Sequence, residues 1–210
     1  MTLTQKEVKK VFLWTNLVRP TTLPDTYQEV EYIQSSWTQW LDTWVIPTSN
    51  TKSLIKFRNL WVTWEVIYWM SIQSSGDANY RFFNYNSKIY FDLNYPSRIS
   101  GSTCNANTDY EFEIWNFYVK NVGGATNLIS WNFVSGYTWT TTIKLNYSDW
   151  NGATSSNRWY YVKIYESWTL IRNFVPCYRK SDSVIGMYDL ANAEFYTNAW
   201  TWIFTKWSDV

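Results

Sequence analysis

Short runs of β-branched and aromatic residues, separated by turn residues about every 8–12 positions, constrain the fold of this chain more than any other feature. Several runs alternate apolar with polar side chains, as in NYRFFNYNSKIYFDLN and DYEFEIWNFYVKN. Alternation with a period of two turns one set of side chains towards a core and the other towards solvent, whereas an amphipathic helix needs a 3.6-residue period that this sequence lacks. The pattern therefore predicts an all-β protein built from antiparallel strands.

The same pattern assigns individual strands and turns. The clearest hairpin has Asn86 and Ser87 at its tip, between Tyr85 and Lys88. Further strands are predicted in DYEFEIWNFYVKN, TTTIKLNYS, NRWYYVKIYES, TLIRNFVPCYR, SVIGMYDL and AEFYTNA.

Tryptophan occupies predicted turns where an all-β chain usually has glycine. The 210 residues include 16 Trp but only 7 Gly, about half of the usual glycine share. In KIYESWTLIRNF, two alternating runs flank Ser167 and Trp168, where a tight hairpin favours Asn-Gly because Gly enters positive φ without steric cost. On this basis every Trp except Trp40 and Trp159, which fit strands, is assigned to a turn.

Two explanations of the excess tryptophan remain open. UGA encodes Trp in some genetic codes and Gly in others, so the turn residues would be Gly in the native protein, whose glycine content would rise to about 10%. Alternatively, the indoles form a genuine sugar-binding surface, in which case they line one contiguous groove. The first explanation predicts that Trp168 and Trp150 are exposed at turn tips while Trp40 and Trp159 are buried.

Charge and composition exclude several functional classes. The 18 basic and 17 acidic residues give a net charge of +1 without a long charge run, so neither nucleic acid nor a membrane surface is an expected partner. No apolar stretch has the length of a membrane span, and the beginning of the chain lacks the apolar core of a signal peptide, which predicts synthesis in the cytoplasm. The absence of His excludes His-dependent triads and most zinc sites.

The two cysteines provide no disulfide framework. Cys177 lies in an apolar run and is expected to be a small buried apolar residue. A bond between Cys177 and Cys104 stays open at this stage.

The sequence divides into two predicted units, an N-terminal arm with a linker at residues 1–25 and a main domain at residues 26–210. The arm is predicted to be a small β hairpin with strands at residues 8–13 and 17–19. The segment PTTLPD after it is stiff and prone to turns, which places the boundary there.

Two terminal motifs of the main domain resemble a known family. Residues 29–36, EVEYIQSS, followed by TQWLDT, resemble the opening of concanavalin A-like (laminin-G-like) lectin and glucanase domains of phage and gut-bacterial type. Residues 172–179, RNFVPCYR, followed by GMYDL and FYTNA, resemble the closing motif of the same family. The family has Gly at several positions where this chain has Trp, namely Trp37, Trp44, Trp168, Trp200 and Trp202. The short segment VFLWTNLVRP also resembles a module at the start of many phage tail proteins.

The resemblance implies an antiparallel two-sheet jelly-roll sandwich of the concanavalin A-like type, preceded by the small hairpin. It implies a non-catalytic carbohydrate-binding or adhesion module of a phage tail, fibre or other virion-associated protein, acting on the virion or an extracellular surface. Its expected partners are a glycan or cell-surface polysaccharide and other virion proteins or further copies of the chain. A purely structural virion protein and a jelly-roll glycoside hydrolase are the alternatives, because fold alone does not determine function.

One strand carries three carboxylates on a single face, which is the arrangement that a glycoside hydrolase would use. Asp109, Glu111 and Glu113 alternate along DYEFEIW. Jelly-roll hydrolases that the chain resembles carry the order E-x-D-x-E, whereas this strand reads D-x-E-x-E. We therefore expect no enzymatic activity, with these carboxylates in solvent and Tyr110, Phe112 and Ile114 turned to the core.

A glycan site is predicted at a loop and the strand that follows it. Asp77, Asn79, Tyr80 and Arg81 combine a carboxylate, an amide, an aromatic ring and a cation, which together can stack on a sugar and bond its hydroxyls. No cofactor is expected. Calcium is a weakly supported alternative, with Asp77 and Asp149 as loop carboxylates outside any ligand-spaced motif.

Overall fold

The computed structural model describes residues 12–13, 16–17, 22–61, 64–71, 79–93, 98–115, 118–130, 140–147, 155–199 and 202–210. Within these residues the protein is all-β, without a helix, as the sequence pattern predicts.

The strands of the described residues, numbered in chain order, are β1 (Phe12–Leu13), β2 (Asn16–Leu17), β3 (Tyr27–Glu29), β4 (Ile33–Gln34), β5 (Leu41–Asp42), β6 (Thr51–Asn59), β7 (Trp64–Ser71), β8 (Asn79–Tyr85), β9 (Lys88–Leu93), β10 (Arg98–Thr103), β11 (Asp109–Trp115), β12 (Tyr118–Asn121), β13 (Asn127–Ser130), β14 (Lys144–Leu145), β15 (Asn157–Glu166), β16 (Thr169–Arg179), β17 (Ile185–Asp189), β18 (Glu194–Thr197) and β19 (Thr205–Lys206). Every pairing between them is antiparallel.

The larger sheet has the order β13-β12-β11-β6-β15-β16-β17-β18. Outside this order, β3 pairs with β16, β4 pairs with β15, and β19 pairs with β4. Strand β6 at its centre alternates strictly between buried and half-exposed side chains, and Ile55 and Phe57 lie on its buried side. The neighbouring strand β11 buries Phe112 and Ile114 and leaves Asp109 and Glu111 exposed, as predicted. The third carboxylate differs from the prediction, because the Glu113 side chain is only 12% exposed instead of lying in solvent.

The second sheet has the order β10-β9-β8-β7-β14-β5 and packs on the buried face of the first. Phe82 of β8 and Phe112 of β11 meet edge to face across the two sheets, with ring centroids 5.7 Å apart. Phe57 of β6 also packs on Phe112, with ring centroids 5.7 Å apart. These rings join both sheets into one apolar core, so the arrangement is sandwich-like.

Two predicted two-residue turns are present. Asn86 and Ser87 connect β8 to β9, and Ser167 and Trp168 connect β15 to β16. In the second turn φ is +46° at Ser167 and +70° at Trp168, the pair of positive values that a type I′ hairpin requires.

The assignment of nearly all Trp residues to turns is wrong for three of them. Trp64 and Trp69 lie in β7, and Trp115 is the last residue of β11. Short β-branched runs flank Trp both in strands and in turns, so the local sequence does not distinguish the two cases. Pairing with neighbouring strands determines that these three Trp residues lie in strands.

The predicted burial of tryptophan is largely confirmed. Trp159 in β15 is 1% exposed and Trp168 is 70% exposed. Trp40 is only partly buried and precedes β5 instead of lying in a strand, and Trp150 lies outside the described residues.

Part of the predicted N-terminal hairpin falls on described residues. Phe12 pairs with Leu17 and Leu13 with Asn16. The remaining predicted hairpin residues lie outside the described ranges. The division at residue 25 stays a prediction.

The two cysteines are free and fully buried. Cys177 lies in β16, as expected for a small apolar residue, and Cys104 follows β10, where its thiol accepts a hydrogen bond from Asn59 Nδ2 at 3.2 Å. The open question of a bond between them is therefore answered in the negative.

Candidate functional site

A cleft of about 660 Å³ lies where the two sheets meet at their edges. Strand β5 ends the order of the smaller sheet and β18 ends that of the larger one. The volume is within the range of about 300–1,000 Å³ typical of small-molecule sites. The lining residues are Asp42, Trp44, Arg172, Glu194, Phe195, Tyr196, Thr197, Asn198 and Ala199.

Arg172 of β16 supplies the positive charge of this edge cleft. Its Nε donates a hydrogen bond to the Thr43 carbonyl at 3.0 Å, and its Nη1 donates to the Ile171 carbonyl at 2.9 Å. The side chain is 17% exposed. These bonds to backbone oxygens fix the guanidinium at the cleft wall.

The buried carboxylate of Asp189 forms an ion pair with Arg172. Asp189 Oδ2 lies 3.7 Å from Arg172 Nε and is fully buried. Its Oδ1 accepts the backbone N–H groups of Asn173 and Ala191 at 2.8 and 2.9 Å, and its Oδ2 accepts Asn192 Nδ2 at 2.6 Å. Because buried charges need both a counter-charge and hydrogen bonds, Asp189 is a positioning group for Arg172.

Two carboxylates flank the cleft from opposite sheets. Asp42 of β5 accepts the backbone N–H of Trp44 and the hydroxyl of Thr142, both at 2.8 Å. Glu194 of β18 accepts the phenol of Tyr196 at 2.9 Å. Burial, together with the hydrogen bond to Glu194, raises the pKa of Tyr196 to about 12, so the phenol stays protonated at neutral pH.

An amide and an aromatic ring complete the lining. Asn198 Oδ1 accepts the backbone N–H of Trp40 at 2.9 Å, and its Nδ2 donates to the Trp202 carbonyl. The ring of Phe195 packs on Tyr27 at 5.0 Å between centroids, and the Arg179 guanidinium lies 5.5 Å from its centroid.

The carboxylate strand β11 has a different arrangement. Asp109 forms two hydrogen bonds with the Arg58 guanidinium, at 2.5 and 2.9 Å, and accepts the phenol of Tyr160 at 2.9 Å. These bonds hold the pKa of Asp109 below its ordinary value. A general acid in glycoside hydrolysis needs a raised pKa instead.

Glu113 on the same strand is also stabilised as a carboxylate. Burial alone would raise its pKa, but the Tyr118 hydroxyl at 2.5 Å and the ammonium groups of Lys52 and Lys120 at 3.5 and 3.6 Å outweigh burial and lower it. Glu111 accepts the phenol of Tyr161. Ion pairs and hydrogen bonds from phenols therefore hold Asp109 and Glu113 as carboxylates.

The predicted glycan residues lie away from the edge cleft. The backbone of Asn79, Tyr80 and Arg81 begins β8, which β7 and β14 separate from β5 in the sheet order. Asp77, like Asp149 of the calcium alternative, lies outside the described residues. Among the described residues, no cluster of three or more acidic or cysteine side chains could hold a metal ion.

Sequence reasoning missed Arg172, Glu194, Phe195 and Asn198 as site residues. All four lie in or beside the closing motifs RNFVPCYR and FYTNA, which were used only for the resemblance. The polar residues around the last strands could have indicated a binding site. The other side of the cleft is formed by β5, which is remote in sequence, so the complete site was not predictable from these residues.

The exposed indoles of the described residues make separate contacts instead of lining one groove. Trp37 meets Trp61 at 6.1 Å between centroids, Trp168 meets Trp115 at 5.1 Å, and Trp207 stacks on Tyr32 at 6.1 Å. Trp168 and Trp115 border a hollow of about 130 Å³, which is separate from the edge cleft that Trp44 borders. The contiguous aromatic platform required by a Trp-rich sugar surface is not present in this part of the chain.

No protein-family model matches the chain, and no curated protein matches it significantly. In the part that the structure describes, no helix has the length and apolar character needed to cross a membrane.

Proposed function

We propose that this protein is a non-catalytic glycan-binding module with a jelly-roll sandwich of the concanavalin A-like type, displayed in many copies on a virion or another surface. The observation that supports it best is the edge cleft, whose lining brings together Arg172, Glu194 and Asn198.

The chemistry of the cleft suits a sugar. Sugar hydroxyls both donate and accept hydrogen bonds, so they need cationic or amide donors next to carboxylate acceptors. Arg172 and Asn198 supply donors, and Asp42 and Glu194 supply acceptors. Where Asp42 and Asn198 bond to Trp44 and Trp202, they contact backbone atoms and not the indoles.

The wider architecture agrees with an adhesion module. Both large sheets are antiparallel and pack face to face, and the opening and closing motifs lie side by side because β3 pairs with β16, where Glu29 is opposite Cys177. A single open cleft binds a sugar weakly, and many copies on one particle raise the effective concentration of sites.

A retention assay on a panel of polysaccharides tests the proposal. The chain is passed over immobilised polysaccharides, and the release of reducing ends is measured in parallel. Glu194→Gln removes the acceptor charge with little change in shape, and we expect its retention to fall roughly tenfold, because hydrogen bonds to charged groups contribute about 1.5–3 kcal/mol. Glu111→Gln, an exposed carboxylate on the outer face of the larger sheet, is the matched control and should bind normally.

Other results would reject specific parts of the proposal. Retention that Arg81→Ala abolishes and Glu194→Gln leaves intact would place the site at the start of β8. Release of reducing ends that disappears in Glu111→Gln or Glu113→Gln would make the protein a hydrolase. Absence of retention on every polysaccharide would favour a purely structural virion protein.

A further inference from the structure

We infer that positions 37, 44 and 168 carry glycine in the protein as its own organism makes it, because the codon rendered here as Trp is UGA read as Gly. The inference concerns the covalent structure of the chain and is independent of glycan binding.

The backbone at these positions has the conformation that favours glycine. In the described residues φ is +76° at Trp37, +55° at Trp44 and +70° at Trp168. A side chain in this left-handed region brings Cβ close to the following carbonyl oxygen, which only Gly avoids. Trp168 is also the second residue of a type I′ turn, the position at which Asn-Gly turns have Gly.

Other aromatic residues provide an internal control. The sequence has 17 Tyr and 11 Phe, and in the described ranges none of them has positive φ. The remaining non-glycine residues with positive φ there are Asn, which tolerates this region, and Ser and Ala, which have the same Cβ but no aromatic ring. An indole should disfavour positive φ as strongly as the rings of Tyr and Phe do. Because only Trp among the described aromatic residues has positive φ, aromatic bulk does not explain these three positions.

Burial of the side chains at the three positions does little to offset the steric cost of the positive φ. They are 45%, 69% and 70% exposed at Trp37, Trp44 and Trp168, respectively. Trp37 contacts Trp61, and Trp168 contacts Trp115 and the Lys52 ammonium, which lies 5.1 Å from its ring centroid.

Trp159 shows the opposite behaviour and marks a genuine tryptophan. It lies within β15, is 1% exposed, donates from Nε1 to Asn146 Oδ1 at 3.0 Å and packs on Phe57 at 5.8 Å between centroids. Glycine at this position would leave a large cavity. The inference therefore requires that two different codons have both been translated as Trp, namely UGA at 37, 44 and 168 and UGG at 159.

Glycine at position 44 also alters the edge cleft. Trp44 is one of its lining residues, so removal of the indole widens the opening. This consequence rests on the proposed function, whereas the codon assignment does not.

The coding DNA and the native peptide provide the first test. We expect UGA codons at 37, 44 and 168, a UGG codon at 159, and a peptide IYESGTLIR, with Gly for Trp168, in a digest of protein from the native source. UGG at the three positions, UGA at 159, or Trp in that peptide would overturn the inference. Failure here leaves the polysaccharide assay untouched, so the two proposals fail separately.

Thermal unfolding provides a second test that needs no native material. Trp37→Gly, Trp44→Gly and Trp168→Gly in the full chain should each raise Tm by roughly 2–4 °C, the shift expected for relief of this backbone cost in a domain of this size. Trp168→Ala is the matched control, because alanine removes the indole but keeps Cβ, and it should not give the rise. Equal Tm for the Gly and Ala variants, or a lower Tm for all three Gly variants, would overturn the inference.

Discussion

The contact between Phe82 and Phe112 predicts how strongly the two sheets depend on each other. Phe82 belongs to the smaller sheet and Phe112 to the larger one, both are fully buried, and their rings meet edge to face at 5.7 Å and 88°. If the sheets pack as described, the two side chains stabilise the fold jointly and their substitutions are not additive.

The magnitude follows from burial and ring geometry. Phe112→Ala should lower the free energy of unfolding by about 3–5 kcal/mol, as is usual for a buried phenylalanine. That loss is a large part of a typical total stability of about 5–15 kcal/mol, so the alanine variant alone risks global unfolding. Phe82→Leu and Phe112→Leu keep apolar volume while removing the rings, and should cost about 1–3 kcal/mol each. The edge-to-face pair should add a coupling energy of about 0.5–1.5 kcal/mol.

A double-mutant cycle measured by urea denaturation tests this coupling. The four chains are the unsubstituted protein, the two leucine variants and the double variant, with Glu111→Gln as an outward-facing control expected to change stability by less than about 0.5 kcal/mol. Additivity of the two leucine substitutions within about 0.3 kcal/mol would refute the face-to-face packing of the sheets.

Three further predictions concern titration, thiol chemistry and the cleft. Burial raises the pKa of both Cys104 and Cys177 to about 12, so neither thiol should react with a disulfide reagent at pH 8 until the protein is unfolded, and rapid labelling of the folded chain would contradict this. The folded pKa of Asp109 is depressed, so the stabilisation by Arg58 is present above the unfolded pKa of about 3.9 and lost as the pH falls through the folded value. Because the Asp109 side chain is 40% exposed, Asp109→Asn should cost less than about 1 kcal/mol at pH 7, and this cost should shrink as the pH falls through the folded pKa of Asp109; a difference in urea midpoint that stays constant on acidification would argue against the pair. Asp189→Asn should weaken polysaccharide retention through Arg172, with Asp182→Asn as an exposed control that binds normally.

Local sequence determined the strands and several turns, because their signals lie within a few residues. Alternation in DYEFEIW places Phe112 inside and Glu111 outside, since successive side chains of a strand point to opposite faces. The turn at Asn86 and Ser87 was likewise predictable, because these residue types tolerate positive φ.

Local sequence failed where the answer depended on pairing between distant strands. Trp64, Trp69 and Trp115 have the same kind of neighbours as the turn tryptophans, and only hydrogen bonding of β7 with β8 and of β11 with β6 makes them strand residues. The predicted glycan residues at the start of β8 followed from composition alone, which carries no information about which strand edges adjoin.

The edge cleft was decided by tertiary structure alone. Arg172 bonds to the carbonyl of Thr43, 129 residues earlier in the chain, and Glu194 comes near Asp42 only because β18 and β5 end different sheets at the same side of the core. The residues at this edge have ordinary strand signals one by one. Their convergence results from how the two sheets stack, which depends on burial summed over the whole core, so the sequence determines the strands while the packing of the sheets determines the site.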